Sequence, residues 1–599
     1  LTDTFRRCAP NFSQTPSPVT LQEQIDQLPE GSDLDLGHSH WEILAPLVLQ
    51  RAVRITGAGA VIRLVSGHEA VIRVVGGGHY RLQGLHLEYA SSGPGRGVWV
   101  EAGEVELEDC QISGARWIDE RGLGCGLHFA RESRGKVLFC EFRKNQVGLL
   151  VDHQAQVQIE SSRFLDNSQA GLRLQAFSRS RLAQNECRGN GEAGIELLGQ
   201  CWSELEGNRC QSNGTHGIFL HGQARAKLLG NDCNANGQHG ISLEEAASFS
   251  LEQQVCEENG LCGLDLGGSG SALISNAYSC LNGWHGIQLR EQAQAVLLHS
   301  RLRHNQQSGL AYYAQSGGQA RQCRLEENEH YGVQVSDQAC PDLGQLQCVR
   351  NGLSGLAYFG ESGGLARDVE SRHHPYHGIQ VSDQAGPLVE GCRCEQNQLF
   401  GTACFGDSQA VLRHNVASDN EQGGYYLGDR AQTMVLSNQA HQSNQWALQV
   451  AGKSSGWLAK NQLQGSLQIG AEAQPWLEGN QVDGHFTCLS SRVFLLEQWA
   501  SQATPLKAGH YITLQNAQGQ SFQVPLPFEP KAAEVSVLEC LARYGRVSEA
   551  ELAKVAKTRR VGGLVEALRE KLGSAQLKWI ATEGQGRDGL IYSWTGPEG

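Results

Sequence analysis

Glycine returns at a fixed 23-residue interval through the middle of this chain, from Gly148 through Gly171, Gly194 and Gly217 to Gly424, without a missed step. Gly126 precedes the series one place short of the interval, Ala447 takes the next slot and Gly470 follows. Asparagine stands four residues before most of these glycines, from Asn167 to Asn420, so that "NGTHGI" at Asn213 is echoed by "NGQHGI" at Asn236. Self-similarity at a fixed interval of this size marks a solenoid of stacked repeats. Residues after each glycine alternate: Ile218, Phe219, Leu220; Ile241, Ser242, Leu243; Leu264, Asp265, Leu266. Apolar, mostly polar, apolar is a period of 2, and therefore a half-buried strand. A second strand fits "AKLLGN" from Ala226. A coil this short has no room for a strand–helix–strand crossover and suits short strands joined by tight turns.

Stacking places like residues in columns about 4.8 Å apart. Asparagine suits a left-handed turn and can also bond along its column. The many glycines, 73 of 599 residues, are expected at the turns. Cys187, Cys210, Cys233 and Cys256 make a further column, expected in the core because cysteine is small and readily buried.

These N-x-x-x-G-I/L-x-L coils resemble the right-handed parallel β-helix proteins of the pectin-lyase-like group over roughly residues 35–490. The resemblance implies an all-β solenoid, a right-handed parallel β-helix of 23-residue coils. It leaves activity open, because the group includes pectate lyases, polygalacturonases, alginate epimerases and noncatalytic recognition domains. The polygalacturonase-like N-T-D, D-D, G-H-G and R-I-K set is missing, as is the epimerase-like D-P-H-[DE].

The periodic region divides the chain. Residues 1–18 read as an N-terminal arm with Pro10, Pro16 and Pro18. Residues 19–125 hold a capping helix and irregular first coils. In "TLQEQIDQLPEG", Thr20 and Glu23 form a capping box, and Leu21, Ile25 and Leu28 share the face that would cover the open end of the solenoid. Regular coils fill 126–490, and 491–530 reads as a hairpin and linker. Residues 531–599 read as three helices and a two-stranded hairpin, resembling a small α+β winged helix-turn-helix domain. Lys557, Arg559, Arg560 and Arg587 would meet DNA there, yet the segment holds 11 basic against 9 acidic residues. Glu566 and Glu570 fall where a reading helix would face phosphates, so protein docking is expected instead.

The formal net charge of −14 argues against nucleic acid along the solenoid. No long apolar run predicts a membrane span. "LTDTFRRCAPNFSQTPSPVT" has no apolar signal region, and the 19 cysteines follow the repeat rather than a disulfide framework, so a reducing cytoplasm is expected.

From Gly309 the repeat becomes a double coil. "GLAYYAQSGGQAR" returns as "GLAYFGESGGLAR" at Gly355 and loosely as "GTACFGDSQAVLR" at Gly401. This stacks Asp337, Asp383 and Asp429 on alternate coils, with Glu361 and Asp407 between them. Arg321, Arg367 and Arg413 form a second column, and Tyr313, Phe359 and Phe405 a third. Aromatic area with directional Asp and Arg bonds describes a binding strip. Acid–base hydrolysis would need paired carboxylates, and β-elimination carboxylates holding Ca²⁺ beside a base, with Asp383, Asp407, Arg367 and His377 as catalytic candidates. A catalytic site normally breaks a repeat once, whereas this chemistry recurs. The one local break is "SRHHPYHG", where His374 replaces the asparagine between His373 and His377. His377 shares its place with His216, His239 and His285, so it reads as a repeat residue and no metal is expected. The main expectation is a noncatalytic scaffold recognising a protein or polysaccharide along Gly309–Ala447, with no cofactor and a protein partner at the C-terminal domain. The alternatives are a polysaccharide lyase (with Ca²⁺), epimerase or hydrolase, and a DNA-associated sensor.

Overall fold

In the computed structural model, the described residues are 19–91, 93–116, 124–442 and 445–496, with the backbone of strands at 499–503, 510–515, 521–526, 546–548, 580–586 and 589–594. The molecule is an all-β parallel solenoid of about 19 turns. It divides into two units, residues 1–214 and 215–599, whose regular coils follow one plan. Each coil carries three strands, as in Ile218–Leu220, Arg225–Leu229 and Asp232–Asn234. The first two pair in parallel with their counterparts on the next coil, Ile218 opposite Ile241 and Arg225 opposite Ser248. Three parallel sheets result. In the first strand Ile218 and Leu220 turn into the core and Phe219 turns out.

The repeat glycine is required by close approach rather than by a turn. Gly217, Gly240 and Gly263 have no positive φ. A Cβ on Gly240 would lie 2.6 Å from the Gly263 carbonyl oxygen and 2.9 Å from the Asn259 amide. Nor do the repeat asparagines adopt left-handed geometry. The residue before each one does: Glu258 at φ 56°, Leu281 at 56°, His304 at 51° and Glu327 at 56°. Asparagine is selected for its stacking bonds. Asn328 Oδ1 accepts from the Asn305 backbone N–H at 3.1 Å and the Asn305 Nδ2 at 2.9 Å, while its own Nδ2 donates to the Leu302 carbonyl at 3.1 Å and to Asn351 Oδ1 at 2.9 Å. One buried amide thereby meets all the demands that burial makes on it.

A second ladder occupies another turn, with Asn185 bonding Asn208 in the first unit and Asn415, Asn438, Asn461 and Asn480 bonding in series in the second. His374 substitutes within the first ladder. Its Nδ1 accepts from the Asn351 N–H at 3.0 Å and its Nε2 meets the Cys348 carbonyl at 3.1 Å. Cys187, Cys210, Cys233 and Cys256 are wholly buried. Among the described residues no disulfide forms, and no helix is long and apolar enough to cross a membrane.

The helix Leu21–Gln27 carries the reciprocal Thr20–Glu23 capping box and buries Leu21 and Ile25, with Leu28 only half-buried at its C-cap. It closes an edge strand with a side chain. Gln22 Oε1 accepts from the Val48 N–H at 2.7 Å and Nε2 donates to the Val48 carbonyl at 3.2 Å, completing the free side of Leu47–Leu49. Near the C-terminus, His510–Gln515 pairs antiparallel with Ser521–Leu526, and Ile580–Gly586 with Gly589–Trp594. The three helices expected after residue 531 lie outside the described residues, as do Lys557, Arg559, Arg560 and Arg587. The strands present do not by themselves establish a winged helix.

Replacing Asn328 by Ala orphans the Asn305 amide and the Leu302 carbonyl, so unfolding free energy should fall by about 3 kcal/mol or more, measured from chemical denaturation. Burial pulls the His374 imidazole from 6.5 down to about 4. A group with a depressed folded value binds a proton in the unfolded chain first. Stability is therefore lost as pH falls from 6.5 towards about 4, at about 1.4 kcal/mol per unit for each such histidine. His374→Asn should reduce that loss, read as a smaller shift of the denaturation midpoint between pH 7.5 and pH 5. An unchanged shift would show that His374 is not buried as a neutral ring.

Candidate functional site

Three positions in each coil of the second unit face outward from the first sheet: the residue before the repeat glycine, the second after it and the fourth after it. From Gly286 onward these positions build an aromatic and imidazole tier. The Tyr313 hydroxyl lies 3.0 Å from His285 Nε2, Phe359 meets Tyr331 edge-on at 5.5 Å, and Phe405 contacts both His377 and Tyr426 at 5.5 and 5.3 Å. The histidines are fixed from behind. His239 Nδ1 accepts from the Cys262 N–H, His285 Nδ1 from the Ser308 N–H and His377 Nδ1 from the Phe400 N–H, at 3.2, 3.1 and 3.3 Å. The neutral ring then carries its proton on Nε2. Burial keeps these rings neutral, pulling His285 down to about 3 and His239 and His377 to about 4. Burial also pushes the Tyr313 phenol up to about 12.

This outward face is broken once by charge. In the second unit the middle of the first strand reads Phe219, Ser242, Asp265, Gln288, Ala311, Gln334, Ala357, Gln380, Ala403, Tyr426 and Gln449, with Asp265 the single acid. Asp265 is 2% exposed. Its Oδ2 accepts from Arg290 Nε and NH2 at 3.2 and 3.1 Å, and its Oδ1 from Gln288 Nε2 at 3.0 Å. The same Arg290 nitrogen donates to Glu244 at 3.3 Å, two coils away, and the other terminal nitrogen pairs with Glu291. That reach passes over Gly267, where a Cβ would stand 2.5 Å from the guanidinium carbon. Burial pushes the Asp265 carboxyl up, against the opposing pull of Arg290 and Gln288. His239 Nε2 lies 4.0 Å from Asp265 Oδ2, and His216 stacks on His239 at 5.4 Å.

Beside the tier, one or two residues further along each coil, an open groove of about 760 Å³ crosses five coils from Gly268 to Glu361. Its wall carries Glu291, Gln315, Asp337, Gln338 and Glu361. Gln315 donates to Gln338 at 3.3 Å and Gln338 to Glu361 at 3.0 Å.

The residues singled out from the sequence separate into three settings. Tyr313, Phe359 and Phe405 belong to the aromatic tier. Asp337, Asp383 and Asp429 occupy left-handed turn positions at φ 59°, 60° and 54°. Their carboxylates accept from the backbone N–H of Ala314, Gly360 and Gly406, one coil earlier, at 2.8, 2.9 and 3.0 Å. They tie turns together, although Asp337 also lines the groove with Glu361. Asp407 is paired with Arg430. Arg321 lies at the end of a second strand, paired with Asp342, while Arg367 and Arg413 share Glu390. The side chains of Asp383, Asp407, Arg367 and His377 each bond a separate partner, namely the Gly360 N–H, Arg430, Glu390 and the Phe400 N–H. The cluster of Glu244, Asp265 and Arg290 was missed. Its signal was present in the list of middle-strand residues, where one acid interrupts a neutral series.

His239, Cys262 and Asp265 each bring a possible metal-ligand atom within 4.8 Å of the others. The donor set does not fit a divalent ion. His239 Nε2 carries the proton, Asp265 is held by Arg290, and burial raises the Cys262 thiol and keeps it protonated. One carboxylate oxygen of each turn aspartate accepts from a backbone amide.

Comparison with curated proteins finds no match. Solved structures of similar fold include the periplasmic alginate epimerase AlgG, at 12% identity and TM-score 0.29 over 66% of this chain and 82% of that one. The A-module of the Azotobacter vinelandii mannuronan C-5 epimerase AlgE4 gives 14% and 0.31 over 53% and 87%. The Dettilon tailspike protein gives 11% and 0.32 over 51% and 60%. These are likenesses of fold alone. The family model described as the right handed beta helix region matches residues 63–209, 193–343 and 347–486. With most of its length matched in this way, and with coils that stack as the model requires, the chain belongs to the right-handed β-helix family.

Proposed function

We propose that the chain binds a neutral polysaccharide along the outer face of the first sheet in its second unit and acts on it at the cluster of Glu244, Asp265 and Arg290. The observation that carries this reading is the single charged break in an otherwise neutral aromatic and amide face. Half-buried rings at Tyr313, Tyr331, Phe359, Phe405 and Tyr426 supply flat apolar area, and the adjoining groove supplies amides and carboxylates for hydroxyl groups. Successive strands lie about 4.8 Å apart, so an extended chain lying along the stack meets a new set of these groups at each coil.

Charge selects among reactions. Elimination or epimerisation of a uronate needs a cation to neutralise the substrate carboxylate. Arg290 is already shared by Asp265, Glu244 and Glu291, so the site is net acidic and disfavours a polyanion. Two carboxylates on one guanidinium nitrogen, one of them pushed up by burial, suit glycoside hydrolysis. A noncatalytic binding role is the second reading, favoured by the recurrence of the aromatic tier over several coils.

New reducing ends should form from a neutral polysaccharide and not from polygalacturonate or alginate. Glu244→Gln should lower turnover by about 100-fold or more while binding persists. Binding without turnover in the wild type would select the scaffold reading, and turnover on uronates alone would overturn the charge argument. Gly267→Ala should displace the Arg290 guanidinium, reduce turnover and lower the thermal midpoint, because it leaves the buried Asp265 without its cation. Unchanged turnover in that variant would place the reacting groups elsewhere.

A further inference from the structure

The first unit carries a different cluster on the outer face of its own first sheet. Arg73, Trp99 and His128 stand in one column on consecutive strands, Arg73 opposite Trp99 and Trp99 opposite His128. The Trp99 and His128 rings are parallel to within 4°, with centroids 6.4 Å apart. Two guanidinium groups stack on the indole, Arg73 at 4.9 Å and Arg96 at 4.5 Å. Arg96 also donates through Nε to His128 Nδ1 at 3.0 Å. The neutral His128 ring therefore carries its proton on Nε2. His128 is 7% exposed, and its Nε2 is buried with no hydrogen-bond partner among the described residues. Trp99 Nε1 is buried and without a partner among them as well.

The charges around these two donors are unequal. Arg73 is paired with Glu101, which Arg131 also approaches at 3.6 Å. Asp152 is paired with His153. Arg96 has no carboxylate partner among the described residues, although it shares the indole with a second cation. An unpaired buried donor costs about 1–3 kcal/mol, and here two accompany a guanidinium without an acid. An acceptor with two or more oxygens and a negative charge suits donors of this kind.

We propose that Arg96, Trp99 and His128 form a binding site for a small oxyanion, a carboxylate or a sulfate-like group, which accepts from the Arg96 guanidinium, Trp99 Nε1–H and His128 Nε2–H. The site is independent of the polysaccharide reading. It uses other residues, in the other unit, and it has the opposite charge preference. Its ligand is either a free anion or an anionic group carried on a sugar.

Calorimetric titration of the full chain with sodium sulfate, sodium acetate and trigalacturonate tests the assignment. Saturable binding of at least one of them is expected. It should weaken about tenfold or more in Trp99→Phe, which keeps a smaller aromatic face for the guanidinium groups and removes the pyrrole ring with its N–H. It should be lost in Arg96→Gln. Preference for sulfate or acetate would identify a free anion, and preference for trigalacturonate a carboxylate borne on a sugar. Absence of saturable binding by all three would overturn the proposal, and so would binding that Trp99→Phe leaves unchanged. Trp99→Phe retains an aromatic ring in the column, so with its fold checked by the thermal midpoint it remains informative should Arg96→Gln not fold.

Discussion

Everything in this molecule rests on the side-chain amide of asparagine bonding the next coil. A solenoid turn buries backbone donors and acceptors that no strand can pair. One asparagine per coil meets that demand with an oxygen that takes two donors and a nitrogen that gives to two acceptors, as at Asn328. The arrangement works only at a constant interval, because each amide needs its counterpart directly above and below. The constant period follows from that geometry, and the repeat glycine follows in turn. Once coils are this close, the next carbonyl occupies the space of a Cβ. Strand alternation then has a fixed inside and outside, and the outer face becomes a surface on which each coil places three side chains.

Exceptions to the ladder show what it tolerates. At His374 an imidazole keeps the bonds to the Asn351 N–H and the Cys348 carbonyl with its two ring nitrogens, in place of the amide-to-amide link. The exchange introduces a titratable group into a place where none otherwise exists. Histidines before the glycine do related work one position from the surface, accepting a backbone N–H and presenting Nε2 outward. A residue that looks chemical in isolation is therefore first a piece of backbone satisfaction, and its reactivity is what remains afterwards.

The fold was legible because its signal is periodic and local: Gly217, Ile218 and Leu220 announce a strand, and their recurrence announces stacking. The left-handed positions were less legible. Leu281 and Arg350 adopt them without any sequence preference for doing so, held by the coils on either side. The double coil at Gly309 repeats, and its repetition marks turn-tying aspartates at Asp337, Asp383 and Asp429. Asp265 is a single polar residue at an outward position, which in the sequence resembles ordinary variation. Only stacking joins it to Arg290 on the following coil, and brings Glu244 of the preceding coil to the same guanidinium. Trp99 and His128 were hidden for the same reason, lying in the irregular coils where the columns cannot be counted from sequence.

The vacancy at Gly267 has an evolutionary corollary. Repeat arrays grow and shrink by whole coils, and in most of this chain the loss or gain of one would leave ladders and sheets continuous. Between Glu244 and Arg290 it would not. The guanidinium spans two coil steps over a position kept empty for it, so an added coil would carry the partners out of reach and a deleted one would close the gap. That stretch is locked in length while its surroundings are free to vary, and coil number within it is a trait on which selection can act directly.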